Sequence, residues 1–217
     1  MQAVVFDLDG TLVHSAPDLH AAANVVLRDL DAPPLDLETV IGFIGNGIEV
    51  LVRRVLVCSG FTATPERLAH AVAVFERYYS ANLTTLTRPY PGAEALLRTL
   101  QDAGVAMALC TNKPEAPARA LCQEMGLDPY FTQVVGGDTL DRRKPDPAPL
   151  LHAIHALQST PQQTLYVGDS HVDYETAKSA GVPFCFYRGG YLRQTIADFA
   201  PEYTVSDLQD IAGIVGL

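Results

Sequence analysis

Nowhere in this 217-residue chain does an apolar run approach the roughly 20 residues that a membrane-spanning helix needs. Lysine is scarce: Lys113, Lys144 and Lys178 are the only three, and none falls between residues 16 and 84. The formal net charge of −10 argues against non-specific binding to nucleic acid or an anionic membrane. It leaves an anionic small substrate open, since one divalent cation and a few local positive charges reverse the potential inside a cleft. The four cysteines, Cys58, Cys110, Cys122 and Cys185, include no close pair, which disfavours a thiolate metal site and a disulfide framework; buried, reduced thiols are expected. No repeat or low-complexity tract is present. The first strand is expected almost at Met1, with no room for a charged n-region and an apolar signal core, so a cytoplasmic protein is the expectation.

A hydrophobic content of 48% over this length supports one sizeable core and a small appended domain. Short runs rich in β-branched or aromatic residues, at Val105 to Cys110, Gln133 to Val135, Leu165 to Val167 and Val182 to Tyr187, read as buried strands. Helical patterns lie between them: Ala93 to Ala103, Glu115 to Met125 and Val172 to Ala180, stopped by Gly104, Gly126 and Gly181. Strands alternating with helices predict a Rossmann-like, three-layer α/β core built on a parallel sheet. Residues 16–84 carry helical patterns without a strand: one from Ser15 or Ala16 to Leu30, a short one from Leu37 to Ile44, one from Ile48 to Val57, and one opened by Thr64 and Pro65 towards Ala81. An all-helical cap inserted after the first strand is therefore expected over 16–84, with a core of 1–15 and 85–217 and a proline-stiffened return at residues 87–92. The tail from Arg188 to Leu217 has strand and helix signals near Tyr203 and Leu208 and reads as packing.

At the end of the apolar stretch Ala3 to Phe6, the run Asp7-Leu8-Asp9-Gly10-Thr11 sets two carboxylates two residues apart. In extended backbone residues i and i+2 point the same way, so Asp7 and Asp9 face one site and Gly10 lets the chain turn away. Two acids that close need a metal or a shared proton. A strand followed by an Asp-Gly turn explains the run equally well by itself. Three further clusters break the tie: Thr111-Asn112, Lys144-Pro145, and Gly168-Asp169-Ser170 with Asp173, each after an apolar run or a turn. Strand ends of this kind are where α/β sheets bind ligands.

These clusters together resemble the haloacid dehalogenase superfamily across nearly the full length of the chain. Asp7-Leu8-Asp9-Gly10-Thr11 is similar to its nucleophile motif, Thr111 to its phosphate-binding threonine, Lys144 to its lysine, and Gly168-Asp169-Ser170 with Asp173 to its acidic metal motif. Further phrases are similar to bacterial phosphoglycolate phosphatases: Ser15-Ala16-Pro17-Asp18-Leu19, Ile44-Gly45-Asn46-Gly47, Arg88-Pro89-Tyr90-Pro91-Gly92, Thr111-Asn112-Lys113-Pro114, Gly136-Gly137-Asp138 and Lys144-Pro145-Asp146-Pro147. The resemblance implies a Mg²⁺-dependent phosphatase acting on a small anionic phosphate ester, 2-phosphoglycolate above others, as a monomer or homodimer. Asp7 would be the nucleophile and Asp9 the acid and base, with Asp7, Asp9, Asp169 and Asp173 around the metal, Asp9 through its backbone carbonyl. Thr111, the Asn112 backbone N–H and Lys144 would hold the phosphoryl group.

Specificity is then expected from the cap. The Gly45-Asn46-Gly47 turn leads into a helix whose free N–H groups suit a substrate carboxylate, and Arg54 on that helix is a second candidate. Gly42, Gly45 and Gly47 are not a dinucleotide fingerprint, because the glycine order is wrong and no strand precedes them. His14 stands where many relatives carry aspartate and reads as a polar wall of the cleft. A Schiff-base phosphonoacetaldehyde hydrolase is excluded by the lysine-free cap, and a dehalogenase is disfavoured by Asp9. Pyrophosphatase, sugar or nucleotide phosphatase, β-phosphoglucomutase and a non-catalytic binding module remain as alternatives.

Overall fold

The computed structural model describes residues 1–192 and 198–217. From β1 (Ala3–Phe6) and β2 (Val13–His14) the chain enters four helices, α1 (Ala16–Asp29), α2 (Leu37–Ile41), α3 (Ile48–Cys58) and α4 (Pro65–Ala81). After β3 (Arg88–Pro89) it alternates through α5 (Ala93–Asp102), β4 (Ala106–Cys110), α6 (Glu115–Glu124), β5 (Gln133–Val135) and α7 (Ala148–Ala156). It finishes with β6 (Thr164–Gly168), α8 (His171–Ala180), β7 (Phe184–Tyr187), β8 (Tyr203–Val205) and α9 (Ile211–Val215). Two compact units result, one of Met1–His14 with Arg88–Leu217 and one of Ser15–Thr87.

The first unit is built on a parallel six-stranded sheet in the order β5-β4-β1-β6-β7-β8. All four residues of β1 are fully buried, which explains why this strand reads as a continuous apolar run and not as an alternation. On one face Ala3, Val5, Ala108, Cys110, Tyr166 and Phe184 meet Leu150, Ala153 and Ile154 of α7 and Tyr174 and Ala177 of α8. Helix α5 packs on β4 and on α9. The result is the Rossmann-like α/β core with a helical insertion that the alternation of strands and helices predicts. From β1 the chain steps outward through β4 to β5, then returns to β6 on the other side. The carboxyl ends of β1, β4 and β6 therefore border the crevice at which such sheets bind ligands.

Helix α7 was not foreseen. Pro145, Pro147 and Pro149 make its approach read as a turn, yet Pro147 is the N-cap and Pro149 lies in the first turn, where a missing N–H costs no intrahelical bond. The return segment also forms more than a linker: Arg88–Pro89 pairs antiparallel with Val13–His14. Helix α2 ends at Ile41, three residues before the expected Ile44. All four cysteines are free, but Cys58, at the last turn of α3, is exposed where burial was expected. In the tail, β8 and α9 form at the expected signals; residues 193–197 lie outside the described residues.

The second unit is a four-helix cluster in which α1 packs on α4 and α2, and α3 on α4. Its core contains Ala22, Val26, Leu51, Val55, Leu68 and Phe75. Helix α4 starts as its sequence requires, with the Thr64 hydroxyl accepting from the Arg67 N–H and Pro65 in the first turn. The buried Asp18 of α1 accepts from the backbone N–H of Leu86 at 3.0 Å and of Thr87 at 2.7 Å, and from the Thr87 hydroxyl at 2.7 Å. One carboxylate thus ties the exit of this unit back to its first helix.

Candidate active site

Strand β1 delivers Asp7, whose N–H still donates to Val167 O of β6 at 2.9 Å. The chain then folds over Leu8, whose carbonyl accepts from the N–H groups of Thr11, Leu12 and Val13. Gly10 permits this loop with φ at +92°, and a Cβ there would fall 2.4 Å from Asp169 Oδ2. Gly190 walls the same carboxylate from another side, since a Cβ on it would lie 2.1 Å from the Asp169 Cβ. In that cradle Asp169 accepts from the Thr11 hydroxyl at 2.9 Å and from the Tyr191 N–H at 2.7 Å.

Asp7, Asp169 and Asp173 each place a carboxylate oxygen within 4.8 Å of the others, and all three are buried. Lys144 is buried among them, donating to Asp7 Oδ1 at 2.8 Å and to Asp173 Oδ1 at 2.6 Å. Asp7 is raised to about 7, by burial first, with Lys144 pulling it down in part and Asp173 and Asp9 adding to the rise. Asp169 is raised well above the ordinary carboxylate range by burial first and then by Asp173 and Asp7. Burial opposes the charge on Lys144, but Asp173 and Asp7 outweigh it and hold the ammonium protonated. Three carboxylates face one ammonium, leaving two excess negative charges when all are ionised. Hard oxygen donors with that surplus suit a divalent cation such as Mg²⁺.

Asp173 has a second engagement. Its Oδ2 accepts from the N–H and hydroxyl of Ser170, closing the capping box that starts α8. With Oδ1 on Lys144, this carboxylate anchors the lysine as much as it lines the acidic cluster. The Lys144 carbonyl in turn accepts from Asn112 Nδ2 at 3.0 Å. Thr111, buried at the end of β4, accepts from the Lys113 N–H at 3.2 Å through its hydroxyl oxygen, so its O–H proton points elsewhere.

Two residues not singled out from the sequence belong to this site. Tyr166, inside β6, accepts from Lys144 Nζ at 2.8 Å and stands 2.8 Å from Asp173 Oδ1 and 3.1 Å from the Cys110 carbonyl, the two acceptors for its proton. A tyrosine in a wholly buried strand was the available signal, because its hydroxyl must find a partner. Lys113 is buried and pairs with both oxygens of Asp9, at 3.2 and 3.3 Å. Its scarcity was the signal: it is one of three lysines and directly follows Thr111-Asn112. Asp9 contributes no side-chain oxygen to the acidic cluster; its carboxylate turns to Lys113. His14 sits between Tyr90 and Tyr191, ring centroids 5.8 and 5.9 Å away, as part of an aromatic wall.

The expected cap residues lie together within the second unit. Gly47 is the N-cap of α3, and Arg54, about two turns on, donates to the Phe43 carbonyl at 3.0 Å, bracing the Gly45-Asn46-Gly47 loop.

Residues 4–187 match the family model described as haloacid dehalogenase-like hydrolase. The chain belongs to this family. Similarity to individual members of the haloacid dehalogenase-like family is high: the chain is 50% identical over 198 residues, 91% of its own length and 90% of the relative's, to a phosphoglycolate phosphatase of Cereibacter sphaeroides (strain ATCC 17025 / ATH 2.4.3). It is 42% identical to that of Rhodospirillum rubrum, covering 99% of this chain and 91% of the relative. The crystal structure of a predicted phosphoglycolate phosphatase from Haemophilus somnus 129pt superposes with a TM-score of 0.93 at 33% identity, covering 99% of this chain and 97% of that one. This haloacid dehalogenase-like protein is thus an enzyme, a phosphoric monoester hydrolase. No helix among its described residues is long and apolar enough to cross a membrane.

Proposed function

We propose that the enzyme hydrolyses 2-phosphoglycolate to glycolate and phosphate with Mg²⁺ as cofactor. The observation that carries the chemistry is the buried set Asp7, Asp169 and Asp173 around Lys144 at the ends of β1 and β6; the substrate is carried by the relatives' activity. Phosphate monoesters resist hydrolysis because the anionic phosphoryl group repels an anionic nucleophile, so charge must be neutralised and attack aligned. A Mg²⁺ ion held by Asp7 and Asp169, with the Asp9 carbonyl and Asp173 supporting it, would neutralise phosphoryl charge.

The chain's own groups supply the rest. Asp7 attacks phosphorus, the bond to the ester oxygen breaks, and Asp9 gives its proton to that oxygen as glycolate leaves. Asp9, now a carboxylate, takes a proton from water, whose oxygen displaces Asp7 from the aspartyl-phosphate. Lys144 lets the Asp7 carboxylate and the phosphoryl group approach each other, and the Thr111 hydroxyl and Asn112 N–H hold the phosphoryl oxygens. Residues 16–84 are the cap in this reading, and Gly45, Asn46, Gly47 and Arg54 are its candidate specificity residues.

The test is phosphate release from 2-phosphoglycolate, pyrophosphate, β-glucose 1-phosphate and p-nitrophenyl phosphate, with Mg²⁺ and with excess EDTA. A Mg²⁺-dependent kcat/KM far higher for 2-phosphoglycolate is expected. A flat profile, or preference for another ester, would remove the named substrate.

A further inference from the structure

Among the described residues the buried cationic side chains are Lys113 and Lys144. Lys144 stands with Asp7, at the end where the nucleophile meets phosphorus. Lys113 stands with Asp9, at the end where the leaving oxygen departs. In-line phosphoryl transfer places these two ends on opposite sides of the phosphorus. A substrate with a phosphoryl group at one end and a carboxylate at the other carries a charge for each lysine.

We propose that Lys113 is a specificity-determining residue that binds the carboxylate of the substrate's leaving group. The inference rests on 2-phosphoglycolate being the substrate. To deliver its proton, Asp9 must lie about 2.6–3.2 Å from the ester oxygen. Lys113 Nζ is 3.2 and 3.3 Å from the two Asp9 oxygens, which puts it within roughly 6 Å of that ester oxygen. In 2-phosphoglycolate one C–O and one C–C bond separate the ester oxygen from the carboxylate carbon, a span of about 2.4 Å. Rotation about those two bonds brings a carboxylate oxygen into contact with the ammonium.

A purely structural ion pair accounts for the arrangement less well. Burying a lysine against a carboxylate seldom stabilises a fold more than an apolar pair of similar volume. The lysine is also held in place by its backbone, since its N–H donates to Thr111 Oγ1 and its carbonyl accepts from the Gly137 N–H at 2.8 Å. A fixed cation beside the proton donor suits a ligand that arrives there.

Ethyl phosphate repeats the two-carbon leaving group of 2-phosphoglycolate without its carboxylate. The experiment compares kcat/KM for the two esters in the wild type, in Lys113→Met, which keeps the side chain's apolar stem, and in Lys113→Gln, which keeps a donor for Asp9. Circular dichroism reports whether each variant folds, and the second variant decides if the first does not. The expected result is that the preference for 2-phosphoglycolate over ethyl phosphate drops by roughly 10- to 100-fold, the size of a lost charged hydrogen bond, whatever the absolute rates. Parallel losses on both esters, with the preference unchanged, would overturn the proposal and leave Lys113 acting only through Asp9. A wild type without preference between the two esters would instead fail the functional reading beneath it.

Discussion

In the proposed mechanism Asp7 has to be buried, so that water does not compete for phosphorus, and ionised, so that it can attack. It is raised to about 7, by burial above all, and Lys144 offsets only part of that cost. Replacing Asp7 by Asn should lower turnover by roughly 10⁴-fold or more while leaving the circular dichroism spectrum unchanged, because the nucleophile is lost and the side-chain volume is kept. Appreciable phosphate release from a clean preparation would contradict the assignment. Tyr166 tests a different dependence. Its hydroxyl joins Lys144 to Asp173. Tyr166→Phe leaves the buried ammonium short of one acceptor, and should cost about 1–3 kcal/mol in urea unfolding and lower kcat more than it raises KM. Unchanged stability would show that Lys144 does not depend on the tyrosine.

At the scale of elements, the ends of strands and helices do the positioning. Asp7, Thr111 and Asp169 follow β1, β4 and β6, which pair side by side, so residues about 160 positions apart meet without any long loop. Helix α8 contributes at its first turn, where Asp173 both closes the capping box and holds Lys144. In the helical unit the corresponding device is Asp18, which receives the N–H groups of Leu86 and Thr87 and the Thr87 hydroxyl. Asp18→Ala would strand these donors in a buried setting and should destabilise the protein by about 2–4 kcal/mol, read by urea unfolding, with limited proteolysis locating new cleavage near residues 83–87. Asp18→Asn, which retains one acceptor, should lose less. Equal stability of Asp18→Ala and wild type would show that water replaces the carboxylate there.

The whole molecule carries the acidic cluster as a stability liability until a cation balances it. Asp7 and Asp169 are both raised above their ordinary values, so in the metal-free protein the folded state binds more protons than the unfolded chain between about pH 4 and 7. Their contribution to stability is complete below the ordinary carboxylate range and is lost as pH rises through about 7. In EDTA, thermal unfolding at pH 8 should therefore occur at lower temperature than at pH 5.5. Mg²⁺ at a hundred times its Kd should raise Tm at pH 8 by about 5–10 °C, and the Asp7→Asn variant should show a flatter pH dependence. A Tm indifferent to Mg²⁺ would remove the cation from this cluster.

Much of this protein was legible because it is encoded locally. Two aspartates two apart after an apolar strand face one side by backbone geometry alone, and the stops of α5, α6 and α8 at glycine are set by the next few residues. The alternation of such strands and helices was enough for a parallel sheet, and hence for a site at strand ends. What stayed hidden depends on contacts across the chain. Helix α7 is disguised by prolines whose missing N–H groups are harmless only in a first turn. The two-residue pairing of Val13–His14 with Arg88–Pro89 is too short to leave a pattern. Tyr166 and Lys113 look like a strand residue and an ordinary basic residue until Lys144, 22 positions from the first, and Asp9, 104 positions from the second, are brought to them. Sequence alone determined which chemical groups the enzyme has and on which element each sits; only the tertiary structure decided which charges face each other, because a buried charge takes its partner from whatever the packed sheet places within about 3 Å of it.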